Sequence, residues 1–181
     1  MVLKFFLLFI VLLLTTLIIT IQIRKRFTRI KALSNSNISD MGIHAPSDPN
    51  MKERAKIRRK LLFTIFKNTN SIKTKLVVCW RFLELITSYI LIISIFINIS
   101  TFIIILTLFY VSIAFDQLFT VKVFYNYWQK ATSPKVIPLS PSEFQATQKV
   151  RNQLSLLYFA LIPDFLGFLY FFYLKDLILN R

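Results

Sequence analysis

Three observations on this 181-residue chain predict an all-α polytopic membrane protein. About four transmembrane helices are expected, two of them paired in a central hairpin, together with amphipathic cytosolic helices. The first observation is composition: 55% of residues are apolar and the mean hydropathy is +0.59, which places the core in lipid rather than in a soluble domain. The second is length. Apolar runs cover 5–23, 77–97, 102–124 and 154–174, and a helix rising ~1.5 Å per residue needs about 20 residues to cross the hydrocarbon. The third is the placement of charge, because a net +15 is concentrated in the polar segments between those runs.

Residues 1–23 read as an uncleaved N-terminal anchor, since the run 5–23 is longer than a signal-peptide core and ends in Arg24-Lys25-Arg26. Residues 24–76 follow as a basic loop with 14 Lys or Arg against three acids, whereas only Lys4 precedes the anchor. By the positive-inside rule the loop is cytosolic and the N-terminus lumenal. The first part, 30–50, is rich in Ser, Asn, Asp and Pro and reads as a flexible tether. Asp48 and Pro49 then signal a helix start. The expected amphipathic helix, 51–67, gathers Met51, Ala55, Leu62 and Phe66 on one face. Its other sides carry Lys52, Arg54, Lys56, Arg58, Arg59 and Lys60, the residues expected to meet anionic lipid headgroups or a partner protein.

The hairpin, 77–124, is expected to turn at 98–101. Its arms contain Arg81, Glu84 and Asp116, and an unpaired charge near the bilayer centre costs on the order of 3 kcal/mol. With the turn placed there, Arg81 and Asp116 come within one helical turn of each other, which predicts an ion pair with Glu84 as an additional partner. The competing reading has Arg81 reaching to the interface and Asp116 facing another subunit. Residues 122–128 form an aromatic and basic border where the second arm leaves the bilayer.

Residues 125–153 read as a cytosolic linker and a second amphipathic helix, opened by the capping box Ser140-Pro141-Ser142-Glu143. Residues 154–181 then supply the last membrane helix, kinked at Pro163. Asp164 lies beside that proline at bilayer depth, so it joins Arg81, Glu84 and Asp116 as a candidate ion-pair or subunit contact. One kinked span competes with two half-length helices broken at Pro163, and the run length favours the span. The resulting threading has four spans with both termini lumenal. It leaves the sequon at Asn37 unglycosylated because it is cytosolic, and the one at Asn98 because it is too close to the membrane.

The sequence offers little to an enzyme. His44 is the one histidine and Cys79 the one cysteine, and no phosphate loop or metal-ligand spacing is present, so no catalytic residue, metal or cofactor is expected. Nucleic acid is not an expected partner, because an integral membrane protein holds such basic charge against lipid or uses it for orientation. The expectation is a non-enzymatic scaffold or accessory subunit of a larger membrane complex, whose intramembrane acids contact neighbouring subunits. The alternative is a membrane-shaping or lipid-organising hairpin protein of the endoplasmic reticulum. Endoplasmic reticulum is the expected membrane in both cases, with the mitochondrial inner membrane as the alternative.

Overall fold

A computed structural model describes the backbone of residues 2–33, 41–44, 51–130 and 137–179, and the side chains of 6–30, 41–44, 56–130 and 137–173. The chain is an all-α membrane protein, and four of its helices are long and apolar enough to span a bilayer. In order the elements are α1 (Val2–Leu33), β1 (Ile43–His44), α2 (Met51–Asn68), α3 (Ile72–Ser94), α4 (Ile99–Lys130), β2 (Ile137–Pro138) and α5 (Pro141–Leu179).

The spanning helices lie side by side in the order α1, α5, α4, α3, and α2 packs against α3 at the basic end. Almost nothing in the apolar windows of the outer helices α1 and α3 is buried within the chain. Their exposed large side chains are mostly Leu, Ile and Phe, and Phe96 in the turn after α3 is 85% exposed. Such faces are stable in acyl chains and costly in water. Two apolar clusters hold the layer together. One, around Leu154, Tyr158, Leu161 and Phe165 of α5, joins it to α4 and to α1 at Ile30. The other, around Phe124, Val78 and Ile65, joins α2, α3 and α4 at the basic end.

The hairpin turn lies earlier than the sequence predicts. Helix α3 begins at Ile72 because Ser71 caps it, its hydroxyl accepting the Thr74 amide at 3.5 Å. Helix α4 begins at Ile99 because the Asn98 side chain accepts the Thr101 amide at 2.6 Å. The turn is therefore 95–98 instead of 98–101. The Asn98 cap fixes one side of it, and the Phe96 and Ile97 amides, donating to the Ile93 and Ser94 carbonyls, close the other; apolar run length alone does not register either.

Helix α5 is continuous from Pro141 to Leu179 with Pro163 inside it, so the reading as two half-length helices drops out. Both halves of the capping box form: the Ser140 amide donates to Glu143 Oε2 at 2.9 Å, and the Glu143 amide donates to Ser140 Oγ at 3.4 Å. The polar stretch 141–153 is not a separate surface helix, because Thr147, Val150 and Arg151 on it are buried.

The predicted tether departs most from expectation. Asp48 and Pro49 lie outside the described residues, but Met41 and Ile43 are fully buried, and Ile43 and His44 pair antiparallel with Pro138 and Ile137. The Leu139 amide donates to the Gly42 carbonyl at 3.1 Å, and His44 Nε2 lies 3.2 Å from Glu143 Oε2. Gly42 has φ +71°, and a Cβ there would sit 2.9 Å from the Tyr125 backbone. Only glycine meets both conditions at low cost. Two stretches that read as loops thus clasp each other over the end of α4.

The inward stripe of α2 also differs. Among its described side chains, Leu62 and Ile65 are buried and Ile57 and Leu61 pack beside them, while Phe66 is exposed with the Lys75 ammonium 5.9 Å from its ring centre. The stripe faces the protein's own core. In a segment this basic, a stripe of three or four apolar residues fits more than one helical phase, and Val78 and Phe124 select the one that is used.

Candidate functional site: a polar cluster inside the bundle

The polar groups that matter lie where α3, α4 and α5 meet. Residues 112, 116 and 120 follow one another at four-residue spacing on α4, and 151, 155 and 158 at spacings of four and three on α5, so each set forms one face. Both faces turn inward. Arg81 Nε donates to Asp116 Oδ1 at 2.9 Å, and the Asp116 side chain is almost wholly buried. Arg81 Nη1 also reaches Glu84 Oε2 at 3.4 Å, one turn along α3. Ser112 Oγ donates to Glu84 Oε1 at 3.3 Å, and the Thr120 hydroxyl donates to Asp116 Oδ1. The guanidinium thus lies between two carboxylates, and hydroxyls satisfy further lone pairs.

A second tier joins α4 to α5. Arg151 Nη1 donates to Gln117 Oε1 at 2.7 Å, Ser155 Oγ to the Ala114 carbonyl at 2.8 Å, and Gln148 Nε2 to the Leu118 carbonyl at 3.2 Å. Arg151, Gln117 and Ser155 are buried. Asp164 lies elsewhere, in the α1–α5 contact, where Thr16 Oγ1 donates to its Oδ2 at 3.1 Å. Arg81, Glu84 and Asp116 therefore form one group, and Asp164 is held separately. Asp116 and Asp164 both find a partner within the chain, so neither depends on a neighbouring subunit for its first hydrogen bond.

A cavity of about 480 Å³ opens onto the cluster. Arg81, Glu84, Asp116, Gln117, Arg151 and Tyr158 line it, and at its mouth Arg58 and Arg59 reach in from α2. The basic residues assigned to headgroups from the sequence are thus divided. Lys56, Arg58, Arg59 and Lys60 are all exposed, Arg58 and Arg59 also border the cavity, and the side chains of Lys52 and Arg54 lie outside the described residues. Pro163 is exposed on the outer side of α5. No group of three or more His, Cys, Asp or Glu that could hold a metal ion occurs among the described residues.

Sequence reasoning missed Arg151, Gln117, Thr120, Tyr158 and Thr16. A signal for Arg151 was present: residues 147, 151, 154, 158, 161 and 165 recur at helical spacing, so Arg151 sits on the stripe that carries Leu154 and Leu161. Thr16 gave none, since nothing in a uniformly apolar helix points to a partner 148 positions away. Comparison with protein-family models, with curated proteins and with solved structures finds no match for this chain.

Proposed function

We propose that this protein is a non-enzymatic scaffold or accessory subunit of a larger integral membrane complex, seated in the endoplasmic reticulum membrane with its basic segments toward the cytosol. The observation that supports this best is the state of the interior charges. Arg81 is tied to Asp116 and Glu84, Arg151 to Gln117, and Asp164 to Thr16. Groups held this way brace helices against one another, whereas acid–base or nucleophilic work needs a group poised toward an incoming substrate. The broad outer faces of α1 and α3 are left for lipid or for neighbouring membrane helices. On this reading the acids rigidify the subunit, and the apolar faces form its contacts.

The membrane-shaping alternative fits less well. A wedge needs segments that stop within one leaflet, but α3 and α4 have 23 and 32 residues, and the polar start of α5 is packed into the bundle. Purification of the tagged protein in mild detergent separates the two readings. The scaffold reading expects a stoichiometric set of co-purifying membrane proteins. Recovery of a homo-oligomer that tubulates liposomes would replace it with the shaping reading. Fluorescence of a C-terminal fusion assigns the membrane, with a mitochondrial pattern overturning the endoplasmic reticulum. A glycan on Asn37 would reverse the orientation.

A further inference from the structure

A second, larger cleft of about 1180 Å³ lies at the basic end of the bundle, among α2, α3, α4 and the polar start of α5. Lys73, Lys122 and Lys130 line it, and no Asp or Glu does. None of these lysines has an acidic partner among the described residues. The capped first turn of α3, Ser71 to Thr74, forms one wall, and the C-terminal turns of α2 and α4 form others, so the helix dipoles offset one another and the positive charge of the cleft is that of its lysines. Trp128 forms part of another wall. It is 4% exposed, and its indole N–H has no hydrogen-bond partner.

Hydroxyls, amides and lysines surround the end near Ser71 and Lys130, and at the other end the amides of Gln148 and Asn152 lie beside Leu118, with Phe119 opening onto the exposed apolar surface of the hairpin. This cleft sits where α3 enters the bilayer and α4 leaves it through the border at 122–128. We infer that it is a binding site for the phosphate headgroup of an anionic phospholipid, with the acyl chains lying along Phe119 and the neighbouring outward face of α3 and α4. The site is separate from the cavity beside Arg81 and shares no lining residue with it.

The test uses the full-length protein reconstituted in phosphatidylcholine vesicles with and without phosphatidic acid, then extracted in mild detergent and weighed by native mass spectrometry. The wild type retains phosphatidic acid in preference to phosphatidylcholine. Lys73→Gln with Lys122→Gln lowers that retention about tenfold, since each lysine near a headgroup contributes a several-fold factor. Lys25→Gln with Lys149→Gln removes the same charge from exposed positions outside the cleft and leaves retention unchanged. Circular dichroism and gel filtration verify folding, and Lys130→Gln serves as the second cleft variant if the double substitution aggregates. Equal loss in both lysine pairs would mean diffuse charge attraction and overturn the site. Absence of a phosphatidic acid preference would overturn it as well. Displacement of the lipid by millimolar inorganic phosphate alone would assign the cleft to a soluble anion and overturn the lipid reading.

Discussion

The α3–α4 contact and the α1–α5 contact solve the same problem, joining two apolar helices in a solvent as apolar as they are, by opposite means. Across α3–α4 polar contacts are prominent, with the Arg81–Asp116 ion pair, Glu84 with Ser112, and Trp80 Nε1 donating to the Ser112 carbonyl at 3.4 Å, beside the apolar packing of Val78 with Phe124 and of Trp80 with Phe115. Across α1–α5 they are mostly steric. Leu12 seats against Gly167, where an added Cβ would lie 2.8 Å from a leucine methyl, and Phe9 meets the rings of Phe168 and Phe171. One hydrogen bond, Thr16 to Asp164, completes the seam. Charge fixes one register and close approach fixes the other. Loss of one charged partner is the costly change in the first, and loss of close approach in the second.

Breaking the polar side should have the largest effect. Arg81→Ala leaves Asp116 buried against Thr120 without its cation, a loss of about 3–5 kcal/mol, visible as a lower unfolding midpoint in titrations of the detergent-solubilised protein. Replacing both partners, Arg81→Leu with Asp116→Leu, should recover most of that loss. A double variant as unstable as the single one would show that the pair does not act as a unit. The steric seam comes next. Gly167→Val should cost about 1–3 kcal/mol by overpacking against Leu12, and Leu12→Ala in the same chain should return part of it. Near-wild-type stability of Gly167→Val alone would mean that α1 is only loosely held.

The clasp over α4 is a smaller case outside both seams. Gly42→Ala meets a positive φ and the Tyr125 backbone together, and is expected to cost about 1–2 kcal/mol and to make residues 41–44 more sensitive to limited proteolysis. Smallest of all is Thr16→Val. A hydrogen bond between membrane helices averages about 0.6 kcal/mol, so the midpoint should move slightly and the α1–α5 seam should survive on packing. A collapse comparable to Arg81→Ala would show that Asp164, not close approach, holds α1.

How far the sequence discloses this depends on the reach of each signal. Four spans follow from run length and composition, properties that a lipid solvent imposes directly. The neighbourhood of Arg81, Glu84 and Asp116 follows from a hairpin whose turn is short, because small errors in its position still leave long side chains in reach. The Ser140–Glu143 box is local and reads off four residues. By contrast, the antiparallel pairing of Ile43–His44 with Ile137–Pro138 involves two residues from each strand, too few for any period. Residues 30–50 looked like a tether because their composition matches loops, and composition does not register that Met41 and Ile43 fill a gap beside Phe124. The partition of Arg58 and Arg59 from Lys56 and Lys60 was hidden for a related reason: adjacent cations on a helix are alike until another element selects a phase.

The clasp between Ile43–His44 and Ile137–Pro138 also orders events while the chain is made. Its first half leaves the ribosome after one membrane helix and its second half only after three, so residues 41–44 stay without their partner strand until the whole hairpin has been inserted. Domains and segments that wait in this way expose apolar side chains to chaperones and proteases. Completion of this small ribbon therefore marks the point at which the hairpin is in place, with α5 still to follow.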